Sequence, residues 1–471
     1  MRDDLHWNED YPIGNLTSRF ENMLKGTEGE YFDSEEFEAL IDYYQQSFNT
    51  EKARLALELA MQQHPFNANL KIKQARQLAS ESNYLMALDI LNELEIYEPN
   101  DPEILMTRAN IFSMMMEFKK AISELKKTIE LVDADELEEI YSSIAFEYEN
   151  LGQYKQALEF LKKALTINPS SDALLYEIGM CYEVDKKLDK SITFFNQYLN
   201  DHPHSIAAWF NLGLSYHHSE QYEKAIDAFE YVLAIDHRNL SAYLSMAQSY
   251  SNLENYSKAI EIYRESFALG KPEALTYYSI GECYEKMQDF RPALINYRKA
   301  LELDEELPEP WAGIGVIFDE EGNTKTGIRY LMKACELDPL NTEFLLILAD
   351  MYIKQKDYDK ASGCFLKIEE IDPNDPDLWI EHANLYVIKE DYETAVNLLK
   401  TGLTNQPENS TILYRLVASL MLNKNPVQAC YYLENALETD FEGHQELLEY
   451  YPEIINNQRV VDLIRAYTLS R

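Results

Sequence analysis

The stretch "AWFNLGLSYHHSEQYEKAIDAF", residues 208–229, sets His217 beside His218, with His202 and His204 shortly upstream. Four histidines are a candidate zinc set, because imidazole nitrogens bind that ion at about 2 Å. Spacing argues against it. A helix of about 14 residues between the two pairs holds them roughly 20 Å apart. His217 and His218, as neighbours, point to different sides of that helix. They read as polar residues at a helix end, and no metal site is assigned.

Carboxylates are dense, as in "DADELEE" (Asp133 to Glu139) and "DEEL" (Asp304 to Leu307). Residues 301–321 hold eight acidic residues and no basic one. Such runs form solvated faces. They lack the D-x-[DN]-x-[DN]-G order of a calcium loop. No glycine-rich phosphate loop, GxSxG or HExxH occurs either. The expectation is a non-catalytic protein with no catalytic residue and no cofactor.

The five cysteines, Cys181, Cys283, Cys335, Cys364 and Cys430, form no CxxC and sit inside apolar helical patterns. They read as free buried thiols in a reducing compartment. "MRDDLHWNED" has no apolar core of a signal peptide, and no run of about 18 apolar residues could span a bilayer. A cytoplasmic location without membrane insertion is expected. Lys and Arg total 42 against 82 Asp and Glu, a formal charge of −40. That sign repels phosphates, so nucleic acid is excluded as a partner, and anionic membrane surfaces are disfavoured. Basic protein partners are favoured.

A chain of 471 residues is too long for one compact core unless it repeats. It does repeat. Small residues recur at Ala75, Ala109, Ala145, Gly179, Gly213, Ala247, Gly281, Gly315, Ala349 and Ala383. A second series runs from Ala53 through Ala225 to Ala429, with Ser191 and Gly327 among its members. Both step by 34, with one step of 36 near Asp133–Asp135. Aromatics follow the first series at Tyr148, Tyr182, Tyr216, Tyr250, Tyr284, Phe318, Tyr352 and Tyr386. Prolines such as Pro65, Pro99, Pro169, Pro203, Pro339, Pro373 and Pro407 close many units, since proline ends helices. Apolar spacing of three and four within a unit, broken by "HHSEQYEK", gives two helices and a turn. Gly213 and Ala225 fall where the paired helices approach. A larger side chain there would cost roughly 1–3 kcal/mol.

"WFNLGLSY" (Trp209, Leu212, Gly213, Tyr216) followed by Ala225 and Phe229 resembles the tetratricopeptide repeat. The pattern covers residues 34–443 as about twelve units, starting at 34, 68, 102, 138, 172, 206, 240, 274, 308, 342, 376 and 410. The resemblance implies an all-α fold, a right-handed superhelical α-solenoid of helix pairs. The first helix of each pair would line a concave groove that holds a peptide or partner segment. Its groove-facing places are the second, fifth, ninth, twelfth and thirteenth of each unit. In the middle units these yield Phe146, Tyr176, Met180, Phe210, Leu214, Leu244, Tyr278 and Glu282, with Gln248, as the expected groove. Glu139, Glu149, Glu183 and Glu285 rim it. A protein or peptide with apolar anchors and basic flanks suits such a groove. The carboxylate clamp of the family's Hsp70 and Hsp90 co-chaperones needs Lys at the fifth place, and none stands there. The asparagine ladder of the O-GlcNAc-transferase array is also missing, Asn211 standing alone at the sixth place.

Three segments result: an acidic tail with a short capping helix (1–33), the array (34–443) and C-terminal capping helices (444–471). Ser18 to Glu21, "SRFE", reads as a capping box before a helix ending at Gly26. Trp7 is either a docking residue or part of a loosely packed tail. Pro452 separates two amphipathic stretches that would cap the last unit or form a dimer contact. Together the residues point to an interaction scaffold or adaptor. The alternatives are an assembly or targeting factor that holds a basic partner on its acidic convex surface, or an enzyme or regulator with a site grafted on the array.

Overall fold

The computed structural model describes residues 13–26 and 31–470, which form α-helices and one 3-10 turn, with no strand among the described residues. Trp7 lies outside them. The chain divides into two compact units, 1–242 and 243–471.

In the first unit, α1 (Ile13–Leu24) precedes six helix pairs. These are α2 (Ser34–Gln46) with α3 (Thr50–Gln63), α4 (Ala68–Ser80) with α5 (Tyr84–Tyr97), and α6 (Pro102–Met114) with α7 (Phe118–Thr128). Next come α8 (Leu137–Asn150) with α9 (Tyr154–Ile167), α10 (Asp172–Val184) with α11 (Leu188–Asp201), and α12 (Ile206–His218) with α13 (Tyr222–Ile235). The unit boundary falls inside α14 (Leu240–Asn252), which pairs with α15 (Tyr256–Ser266). The second unit continues with α16 (Ala274–Lys286) and α17 (Phe290–Leu303), α18 (Pro308–Glu320) and α19 (Thr324–Leu337), and α20 (Thr342–Lys354) and α21 (Tyr358–Ile371). It ends with α22 (Pro376–Ile388) and α23 (Tyr392–Asn405), α24 (Ser410–Leu422) and α25 (Pro426–Thr439), α26 (His444–Tyr450), the 3-10 turn and α27 (Gln458–Ser470).

The helix starts follow from capping chemistry. The side chains of Asp33, Asn67, Asp101, Ser171, Ser205, Asn341, Asp375 and Asn409 each accept a hydrogen bond from a first-turn backbone N–H. Each such cap contributes about 1 kcal/mol. Asp33 and Glu36 form a full capping box. The expected box at Ser18 is not one. Ser18 lies inside α1 and its hydroxyl donates back to the Gly14 carbonyl. The sequence "IGN" ahead of it continues the amphipathic pattern, so the helix begins earlier than the serine suggested.

The small residues act by steric allowance. A Cβ at Gly213 would meet the Phe229 ring at 2.5 Å, so the glycine admits an aromatic from the second helix rather than touching Ala225. A direct small-to-small approach occurs at Gly315 and Gly327. There a Cβ at Gly327 would lie 2.6 Å from the Gly315 carbonyl oxygen.

Candidate partner-binding face

In the first unit, α8, α10 and α12 each bury one stripe of core residues and leave their fifth and ninth places wholly or partly exposed, whereas Ile72, at the fifth place of its unit on α4, is buried. On α10, Leu174, Leu175, Ile178 and Cys181 are buried. Tyr176, Met180 and Val184, on the other stripe, are 42%, 47% and 50% exposed. Phe146 on α8 is 56% exposed. Phe210 and Leu214 on α12 are half-buried. Phe210 meets Tyr176 edge-on, ring centroids 6.2 Å apart, and meets Phe229 from behind at 5.7 Å. Phe210 therefore joins core and surface, and Tyr176 and Met180 are more exposed than it is.

Acids edge this face. Glu149 accepts a hydrogen bond from the Cys181 thiol at 3.1 Å, and Glu183 lies 3.2 Å from His218 Nε2. Burial, then the Glu149 charge, pushes the Glu177 carboxyl upward. Asn211 is a packing residue: its amide donates to the Ala207 carbonyl, and a Cβ at Gly179 would collide with its side chain.

In the second unit Leu244, Tyr278 and Glu282 are half-buried. Tyr278 stacks on Tyr297 of α17, centroids 5.8 Å apart and planes 25° from parallel. Tyr297 donates a 2.6 Å hydrogen bond to Glu285. The Tyr297 ring is buried in the core, yet its hydroxyl reaches the face where Glu282 and Glu285 stand. At the far end the chain covers its own inner face. Tyr450 of α26 donates to Asn384 Oδ1 at 2.7 Å and lies under Arg415, 3.7 Å from guanidinium carbon to ring centre. Ile380 and Tyr414, at the fifth places of their units, are buried.

The two histidine pairs stay apart, at opposite ends of α12. His202 stacks on Tyr198 and with His204 lines a surface cavity of about 350 Å³. His217 and His218 sit ring-edge to ring-face, and burial lowers the His217 pKa. No three His, Cys, Asp or Glu side chains among the described residues are grouped to hold a metal ion. Cys335 and Cys364 line another cavity of about 450 Å³, where burial pushes both thiols up to about 11. Thiols so protonated are poor nucleophiles. No helix among the described residues is long and apolar enough to cross a membrane.

Family models described as tetratricopeptide repeat match residues 138–171, 172–205, 206–239, 238–306 and 320–385. No curated protein matches the sequence. Among solved structures the chain is similar to yeast Tom70, with 15% identity over 93% of this chain and 96% of that one, TM-score 0.47. It is also similar to a chain of the APC/C hetero-tetramer Cut9–Hcn1, with 14% identity over 96% and 99%, TM-score 0.38. A tetratricopeptide repeat protein from Parabacteroides merdae shows 18% identity over 50% of this chain and 93% of that one, TM-score 0.40. The helix pairs, their period and the family-model matches agree, and the chain belongs to the tetratricopeptide repeat family.

Proposed function

We propose that this chain is a non-catalytic scaffold or adaptor of the cytoplasm that holds a protein segment on the inner face of its first helices. The observation that carries this reading is the apolar row Phe146, Tyr176, Met180 and Val184, left exposed while neighbouring apolar residues are buried. A contiguous exposed apolar patch normally has a partner, and aromatic anchors dominate such interfaces. The acids beside the row favour a segment with basic flanks. Five free thiols suit a reducing compartment. We keep residues 34–443 as the binding array, with 1–33 and 444–471 as its flanking segments.

The test is capture of partners from native lysate, comparing wild type with Tyr176→Ala/Met180→Ala. Both side chains stand out of the core, so the melting temperature should stay within about 2 °C of wild type. A partner held by wild type and lost from the variant supports the groove. Equal capture by both moves binding to the acidic outer surface, where Asp304, Glu305 and Glu306 are exposed.

A further inference from the structure

The cavity of about 450 Å³ that holds Cys335 and Cys364 is lined by α19, α20 and α21, all in the second unit. Its size is that of a small-ligand site. Met332, Leu345, Leu348 and the Tyr352 ring give it an apolar lining. The Tyr352 hydroxyl is turned to the Met332 sulfur, 3.6 Å away. The two thiols continue the apolar surface, since a protonated cysteine packs as a small hydrophobe.

Gly363 of α21 lines the same cavity. After proline, glycine is the residue least suited to a helix interior, so a glycine there needs a reason. At Gly179, Gly213, Gly281 and Gly402 the reason is packing: a Cβ would come within 2.7 Å of a neighbouring side chain. Gly315 and Gly327 back onto each other. Gly363 has no such neighbour, and a Cβ there would meet nothing within 4 Å. It stands one turn from Lys360 and from Lys367, next to Cys364, on the stripe of α21 that lines the cavity. A side chain at this place would take up the space, and the glycine keeps it open.

Charge then narrows the ligand. Acids outnumber bases in the chain by 82 to 42, yet two of the three charged residues lining this cavity are lysines. Lys360 is paired with Asp357 at 2.7 Å, and Glu336 with Lys333 at 3.7 Å. Lys367 is exposed and forms no ion pair among the described residues. An unpaired ammonium beside an apolar hollow suits a molecule with an apolar body and one anionic group. We propose that this cavity binds a small amphiphilic carboxylate, its apolar chain against Gly363, Leu345 and Leu348 and its carboxylate at Lys367. The proposal lies away from the exposed row of the first unit and does not rest on the scaffold reading.

The probe is octanoate, titrated into the full-length chain by isothermal calorimetry. Octanamide is its twin, with the same shape and no charge. Octanoate should bind at one site with a Kd below about 1 mM, and octanamide about threefold more weakly. Gly363→Phe, whose ring enters the open space, should abolish binding of both and melt no lower than wild type. Gly363→Ala adds a single carbon, so it should melt higher than wild type and still bind octanoate. Lys367→Glu changes an exposed residue and leaves the fold alone. It should weaken octanoate about tenfold, by losing one attraction and adding one repulsion, and leave octanamide unchanged. No octanoate binding at about 5 mM, binding undiminished in Gly363→Phe, or equal octanoate affinity in wild type and Lys367→Glu overturns the proposal. The scaffold reading is judged separately, on Tyr176→Ala/Met180→Ala, so either can fail while the other stands.

Discussion

His382 on α22 shows how one buried residue sets a pH response. Its ring stacks on Phe365, centroids 5.0 Å apart, and its Nε2 lies 3.3 Å from the Ser362 hydroxyl. Its Nδ1 is buried without a partner. Burial lowers its pKa to about 4, whereas an unfolded histidine titrates near 6.5. Between these values the unfolded chain binds the proton and the folded chain does not. Stability from neutral His382 is thus present above about pH 6.5 and lost as pH falls toward 4. Glu282 and Glu285 act oppositely: their folded pKa values are raised, so their contribution is full at low pH and lost as pH rises through those values. The informative quantity is therefore a difference. On moving from pH 7 to pH 5, wild type should lose about 1–2 kcal/mol more than His382→Phe, measured by urea unfolding. Equal losses would mean that His382 is hydrated and titrates normally in the fold.

At the scale of the element, the turn between the two helices of a unit holds a residue with left-handed backbone. Phe48, Ser82, Met116, Lys186, Glu220, Glu254, Gln288, Lys356, Glu390 and Lys424 take φ near +60°, joined by Gly152 and Gly322. The residue after each donates its N–H to the carbonyl five residues back, as Gln221 does to Tyr216 at 2.9 Å. This is a Schellman closure, in which glycine is favoured. A non-glycine residue there costs roughly 1–2 kcal/mol against left-handed backbone, offset in part by the greater freedom glycine has when unfolded. Glu220→Gly should therefore raise stability by about 0.5–1 kcal/mol. A thermal melt checks this, and a lower melting temperature would show that Glu220 makes a compensating contact. The period in the sequence located these elements well. First helices begin at Ile206, Ala274, Pro308 and Thr342 as the unit starts required, and α8 begins one residue early at Leu137. The turn conformation was not legible, because Phe, Met, Lys and Glu at that place do not advertise a left-handed residue. The inner face was legible only in part. Spacing identifies which places point outward on an isolated helix, but how far Phe210 or Tyr278 sinks depends on Phe229 and Tyr297 behind them. Tyr297 itself was hidden, since one hydroxyl reaching Glu285 leaves no mark in a pattern of apolar spacing.

For the molecule as a whole, charge is the largest influence that no single unit reveals. A formal charge of −40 places most carboxylates among like neighbours. Favourable pairs exist but are local: Arg108 is held by Glu95 at 2.6 Å and Glu124 at 2.8 Å, and Lys354 by Asp319. The buried Arg108 guanidinium spends much of that attraction on its own desolvation. Exposed pairs, such as Lys333 with Glu336, contribute about 0–1 kcal/mol each. Repulsion among the remaining acids is spread over all units and opposes the compact state. Salt shortens its reach to about 10 Å at 0.1 M. In a repeat array stability is a sum over units and their neighbours, so relief of repulsion accumulates along the chain. The melting temperature should therefore rise by about 2–6 °C between about 20 mM and 300 mM sodium chloride, followed by circular dichroism at about 222 nm. The same salt should weaken capture of a partner segment with basic flanks beside Tyr176 and Met180, because that attraction is screened too. Stability and capture of a basic partner segment thus move in opposite directions along one salt titration. A melting temperature that falls with salt would show that ion pairs such as Arg108 with Glu95 and Glu124 outweigh the repulsion of the unpaired acids.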